Sequence, residues 1–180
     1  MGDSKPEAID FEELFDNSSS MIYNLGMRLF RNEEDALDFA QDAFLRAYDR
    51  LDSFRGEARP STWLYSLALN LGLNRLKKQK RLKLKELPED QSWTIEDLES
   101  GEEDPLEQLT DSEMEAIVRE ELSQLSDVYR IPLILYYFDR LAYRDIADRL
   151  GIKEGTLKSY LHRAKVILRE RLVRREVETK

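Results

Sequence analysis

A chain of 180 residues that is 41% apolar and 36% charged reads as a soluble globular protein of one or two domains. It has no cysteine and one histidine, His162, which excludes disulfides, thiolate zinc sites and any multi-histidine metal centre. A net charge of −9 argues against tight unaided binding to DNA, because that affinity comes mostly from phosphate neutralisation.

No apolar run approaches the roughly 18 residues that a membrane span needs. The start, MGDSKPEAIDFEELF, is acidic and lacks the apolar core of a secretory signal. The expectation is a reducing, cytoplasmic compartment, no membrane insertion and no cofactor or metal.

Taken in chain order, nearly everything reads as helix, and no window alternates apolar and polar as a strand would. Phe11, Leu14, Phe15, Ile22, Leu25 and Leu29 make a helical face over Phe11–Leu29. Asn32 is a good N-cap for a second helix, whose first turn carries Glu33, Glu34 and Asp35, where negative charge suits the helix dipole. Its buried stripe is predicted to be Ala36, Ala40, Ala43, Phe44, Ala47, Tyr48 and Leu51. Ser53–Pro60 interrupts the pattern and reads as a loop. A third helix starts near Pro60, with Trp63, Leu64, Leu67, Ala68 and Leu71 as its apolar face.

Residues 86–115 hold thirteen acids and no Lys or Arg, with Pro88, Gly101 and Pro105. By composition this is a linker between two compact parts, roughly 8–85 and 112–175, with the acidic tether over 86–111. The second part opens with a helix from about Asp111 to Leu125. Ser126 or Asp127 caps another, carrying Val128, Ile131, Leu135 and Tyr136, and Pro132 fits only in its first turns. The fold class is all-α.

The most informative local pattern lies at 143–168. Tyr143, Ile146, Ala147 and Leu150 fall on one helix face, and Gly151 follows, where a tight turn needs positive φ. Leu157, Leu161, Ala164 and Leu168 make a second apolar stripe. This is a helix-turn-helix pattern. The opposite face of the second helix carries Lys158, Ser159, His162, Arg163 and Lys165, donors suited to base edges and phosphates.

Positive charge is concentrated there and in one other place. Residues 139–180 hold twelve Lys/Arg against seven acids, and residues 55–85 hold nine against one. In the third helix Asn70, Asn74, Lys77, Lys78 and Arg81 share one polar stripe, expected to lie opposite the apolar Trp63 face. Two readings stand for it: a solvated face, or amides for bases followed by cations for phosphates.

The segment DALDFAQDAFLRAYDRLDSFRGEARPSTWLYSLALNLGLNRLKK resembles region two of bacterial extracytoplasmic-function (ECF) sigma factors. LSQLSDVYRIPLILYYFDRLAYRDIADRLGIKEGTLKSYLHRAKVILRERL resembles their region four. The pieces FRGEA…STWLY and EGTLKSYLHRAK carry most of the likeness. The resemblance implies a detachable promoter-recognition subunit of core RNA polymerase, with no catalytic residues.

It further implies roles for particular residues. Asp35, Asp38, Asp42, Phe44 and Arg46 would contact the polymerase. Ser53, Phe54, Arg55, Gly56, Arg59 and Ser61 would form the loop that captures an extruded base of the melted minus-ten element. Asn70, Asn74, Arg75, Lys77 and Lys78 would read or hold that element, while Trp63 is assigned to the core. Thr156, Lys158, Ser159, His162, Arg163 and Lys165 would meet the minus-thirty-five element. Two departures are visible: Asn74 stands where the family often has Asp, and Tyr160 where Arg is common. The resemblance also implies an anti-sigma factor that clamps both regions. The acidic linker is either a solvated tether or a mimic of nucleic-acid charge. The alternative is a stand-alone helix-turn-helix transcriptional regulator. An enzyme is disfavoured, because no phosphate-binding glycine loop, nucleophile elbow or Cys/His cluster is present.

Overall fold

The structure, a computed structural model, describes residues 10–79, 82–84 and 120–178. Every regular element among them is helical, so the fold is all-α. The chain divides into two compact units, the first ending at Gln79. The acidic segment 86–111, Arg81, and the helix expected from Asp111 as far as residue 119 lie outside the described residues.

The first unit holds α1 (Phe11–Phe30), α2 (Glu33–Tyr48) and α3 (Pro60–Lys78). Asp10 caps α1: its carboxylate accepts the backbone N–H of Glu12 at 2.9 Å and of Glu13 at 3.3 Å. Asn32 caps α2 as its sequence position requires, accepting the Asp35 N–H at 2.9 Å. Pro60 opens α3, where its missing N–H leaves no bond unmade.

All three helices bury one stripe. Leu14, Ile22, Leu25 and Leu29 of α1 meet Ala36, Phe39, Ala43 and Ala47 of α2 and Leu64, Ala68, Leu69, Leu73 and Leu76 of α3. The alanines let the helices approach, and Phe39 fills the space between them. A side-chain carbon at Gly26 of α1 would meet the Phe39 ring at 2.9 Å and the Ala36 backbone at 3.0 Å. One at Gly72 of α3 would collide with the Leu29 side chain and meet Phe39 at 3.2 Å. Each flanking helix thus offers a notch, and the ring of Phe39 occupies both.

Two expectations about this core are corrected. Tyr48 is 62% exposed rather than part of the buried stripe. It lies twelve residues beyond Ala36, about a third of a turn off that face. Trp63, Leu67 and Leu71 are only half-buried, while Leu69, Leu73 and Leu76 take the core positions. Trp63 lies seven residues, two turns, before Asn70 and so shares the side of the polar stripe instead of facing away from it, while the buried face centres on Gly72.

The second unit contains helical residues 120–124, α4 (Asp127–Leu133), α5 (Tyr143–Leu150) and α6 (Glu154–Glu178). Ser126 stands at the α4 N-cap without a side-chain bond. Asp127 instead accepts two bonds from buried Arg130, at 2.6 and 3.2 Å. Pro132 is the sixth residue of α4, in its second turn. It has no N–H to offer Val128. Just beyond it the chain widens into a π turn, Ile134–Phe138, after which the Asp139 N–H reaches back five residues to the Ile134 carbonyl.

Helices α5 and α6 form the expected helix-turn-helix. Gly151 adopts φ 73°, and the N–H groups of Gly151 and Ile152 both close on the Ala147 carbonyl, at 2.8 and 3.0 Å. Ile146, Ala147 and Leu150 pack with Leu157, Leu161, Ala164 and Leu168, all buried. Helix α6 runs well past Arg169. Arg175 donates to Glu120 at 2.8 Å and Glu121 at 3.1 Å, tying the end of α6 to residues 120–124. Those two bonds raise the proton affinity of its guanidinium above the ordinary value.

The notch around Phe39 generates a stability prediction. Gly26→Ala should gain about 0.5–1 kcal/mol of helix propensity. It should lose about 1–3 kcal/mol to overpacking, because the obstructing atoms at Ala36 are backbone. Thermal unfolding followed by circular dichroism should show a lower midpoint; an unchanged or higher one would mean that the helices separate freely.

Candidate nucleic-acid and docking surfaces

The first surface lies between α1 and α2. A groove of 860 Å³ is lined by Phe11, Phe15, Tyr23, Leu37, Leu45 and Tyr48, with Phe44 in its floor. Leu37, Leu45 and Tyr48 are each more than half exposed. Phe44 is not: it packs beneath Phe15 with ring centroids 4.7 Å apart, and edge-on to Phe11 at 6.4 Å. Its burial agrees with the core stripe read from the sequence and makes it a support for the groove.

Of the charged residues assigned to this helix, Asp38, Asp42 and Arg46 are exposed. Asp35 is different. Its carboxylate accepts from Arg75 of α3 at 3.4 Å, and the same guanidinium lies 5.3 Å above the Phe30 ring. Two residues assigned to different partners therefore pair with each other.

The sequence reading missed the apolar members Leu37, Leu45 and Tyr48. The signal was available: positions 37, 45 and 48 recur at helical spacing outside the alanine stripe, a second apolar face on one helix. A helix with two such faces has one left over after folding. Exposed apolar surface rimmed by charge is the usual mark of a protein contact.

The second surface joins the loop after α2 to α3. A single 3₁₀ turn, Leu51–Ser53, ends the helix, and the Ser53 hydroxyl donates to the Arg50 carbonyl at 2.7 Å. Gly56 sits at φ 73°. Arg55, Gly56 and Arg59 are exposed, while Phe54 and Ser61 are half-buried. Phe54 meets Trp63 edge-on at 5.6 Å. Trp63 is thus neither core nor free; it anchors the loop to α3. Asn70, Asn74, Lys77 and Lys78 are all exposed on α3, as their spacing requires. Arg75 is half-buried beside Asp35 and lies apart from that stripe.

The third surface is α6. Ser159, Arg163 and Lys165 are half-buried on its outward side, with Lys158 beside them; His162 is half-buried too, but its Nε2 is covered by the protein. The Ser159 hydroxyl donates to the Gly155 carbonyl at 3.1 Å, within its own helix. Thr156 is the exception among the assigned residues. It is 4% exposed, so little of its side chain is offered to a phosphate outside. Tyr160 is equally buried, its ring tilted 60° against that of Tyr129 with centroids 5.8 Å apart. The residue that departs from the family pattern is a core residue here, so it removes no group from the outward face.

Among the described residues no cluster of three His, Cys, Asp or Glu side chains could hold a metal. None of their helices is long and apolar enough to cross a membrane.

Comparison with known proteins adds a second line of support. The family model Sigma-70 region 2 matches residues 14–82, and Sigma-70, region 4 matches residues 115–168. The chain is 32% identical over 165 residues to the ECF RNA polymerase sigma factor SigW of Bacillus subtilis, covering 90% of this chain and 88% of that protein. It is 35% identical over 152 residues to the RNA polymerase sigma-H factor of Pseudomonas aeruginosa, covering 80% and 76%. Among solved structures it resembles the sigma factor RpoE from Bartonella quintana, crystallised with the anti-sigma factor NepR. That match has a TM-score of 0.55 and 22% identity, and covers 91% of this chain and 96% of the other, a likeness of fold.

Proposed function

This chain belongs to the ECF family of RNA polymerase sigma factors, and from that premise we propose how its surfaces divide the work of initiation. A sigma factor acts in transcription initiation as a promoter-recognition subunit, not as an enzyme, and this chain does so with core RNA polymerase and promoter DNA as partners. The observation that carries the division is the presence, on one three-helix unit, of two unlike surfaces: an apolar groove on α2 and a polar, cationic stripe on α3.

Polymerase docks on the α2 groove. Leu37, Leu45 and Tyr48 supply apolar burial, and Asp38, Asp42 and Arg46 set the orientation from the rim. Burying a leucine stabilises a contact by about 1.5–3 kcal/mol, more than an exposed charge supplies. The apolar residues therefore hold the complex, and the acids steer it.

The loop 53–61 and α3 take the minus-ten element. Separating stacked bases costs a few kcal/mol per step. A loop that accepts an unpaired base offsets part of that cost by stacking and edge contacts. Arg55 and Arg59 flank the loop, and the Phe54–Trp63 contact fixes its base. Asn70 and Asn74 read bases, with Lys77 and Lys78 on phosphates. In the second unit α6 enters the major groove of the minus-thirty-five element with Lys158, Ser159, His162, Arg163 and Lys165. Residues 8–85 and 112–175 are the two working regions, and 86–111 is the tether between them. An anti-sigma factor that covers these surfaces is the remaining partner, and the compartment is the cytoplasm. No residue of the chain has a catalytic part.

Three outcomes test this reading. Leu45→Asp combined with Tyr48→Ala should weaken binding to core polymerase by roughly ten- to a hundredfold, read by co-elution or fluorescence titration. Retained affinity would move the docking site elsewhere. Lys158→Ala combined with Arg163→Ala should reduce transcription from a cognate promoter by about tenfold or more while polymerase association persists. Loss of folding in that pair would remove both residues from the DNA face. In a gel shift the free chain should bind duplex DNA weakly and lose it with salt. Tight binding alone at physiological salt would favour the stand-alone regulator.

A further inference from the structure

Two lysines of α6 lie over tyrosine rings. The Lys158 ammonium is 5.8 Å from the centroid of Tyr143, and that of Lys165 is 5.4 Å from Tyr137. The lysines are seven residues apart, two helical turns, and so share one side of α6. The two rings are joined by a third. Tyr136 meets Tyr137 at 4.7 Å and Tyr143 at 5.0 Å. Tyr137 is buried, and Tyr136 and Tyr143 are half-buried. One continuous aromatic cluster, built from the π turn and the first residue of α5, thus runs beside two successive turns of α6.

A free lysine side chain loses about 2 kcal/mol of rotamer entropy when its ammonium is fixed. An aromatic face within about 6 Å attracts that ammonium by about 0.5–1 kcal/mol at a partly exposed site. The attraction is large enough to favour one rotamer family. It is small enough that a phosphate or a guanine edge, which offers a charge-assisted hydrogen bond, takes the ammonium over. The tyrosines carry no charge, so they restrain the lysines without neutralising them.

We propose that Tyr136, Tyr137 and Tyr143 form a positioning cradle that holds Lys158 and Lys165 ready for promoter DNA. The tyrosines are positioning residues and act only through the lysines. The proposal rests on the reading of α6 as the DNA-facing helix and adds to it the device that sets the affinity of that face.

The test is a double-mutant cycle in the full chain. Holoenzyme reconstituted with core polymerase is titrated against the tightest duplex that the wild-type holoenzyme selects from a random-sequence library. Tyr143→Leu should weaken binding roughly two- to fivefold, the factor set by the cation–π energy. Tyr143→Phe, which keeps the ring face, should restore it. In a Lys158→Ala background Tyr143→Leu should have no further effect. Full effect in that background would overturn the cradle, because the tyrosine would then act on structure or on DNA directly. A DNA affinity indifferent to Lys158→Ala and Lys165→Ala would overturn the DNA-facing reading and the cradle with it, a different signature. A second measurement needs no DNA. The ε-methylene protons of Lys158 should show an upfield ring-current shift by NMR in the wild type and in Tyr143→Phe. Random-coil shifts in the folded wild type would overturn the proposal even if Tyr143→Leu fails to fold.

Discussion

The side chain of Phe39 fixes the geometry of the first unit. It enters α1 at Gly26 and α3 at Gly72, two positions where no larger residue fits without displacing a neighbour. Once the ring is seated, the rotation of α2 about its own axis is settled. Every outward residue of that helix then has a defined place: Leu37, Leu45 and Tyr48 along the groove, and Asp38 and Asp42 on its rim. The same seat fixes α3, so that Asn70, Asn74, Lys77 and Lys78 face outward. A protein that must present two unlike surfaces from three short helices needs such a pin, because helices lined mainly by alanine and leucine could otherwise settle in neighbouring rotations at little cost.

The second unit solves the same problem with backbone instead of an aromatic ring. The left-handed Gly151 and the pair of bonds closing on Ala147 turn the chain sharply between α5 and α6. Small Ala147 and Ala164, with Leu157 and Leu161, let the two helices cross closely. The outward face of α6 follows from that crossing. The long α6 is secured at its far end by Arg175 on Glu120 and Glu121. Rigidity in a helix that reads DNA matters because a base edge is recognised by hydrogen bonds whose geometry tolerates little misplacement.

Much of this was legible in the sequence, and the exceptions have physical causes. The helix-turn-helix was legible because its turn needs a glycine and its two stripes have one helical phase each. The α2 cap was legible because Asn32 precedes three acids. The stripe of α3 was misplaced because Trp63 was counted with the core, although its seven-residue spacing to Asn70 puts it on the polar side of the helix. The docking groove was overlooked because the expectation followed charge, while the exposed apolar residues sat on a helix whose other face already satisfied the core.

The ion pair between Asp35 and Arg75 gives the first unit an internal electrical link. It joins the N-terminal turn of α2 to α3 across half-exposed side chains, and pairs of that kind contribute less than about 1 kcal/mol. So weak a tie changes hands readily. A molecule that draws the Asp35 carboxylate into its own contacts frees a guanidinium on α3, and an anion that captures Arg75 uncovers a carboxylate on α2. By thermodynamic reciprocity each event favours the other to the same degree. Two ligands meeting at the seam between α2 and α3 would sense one another through this single pair.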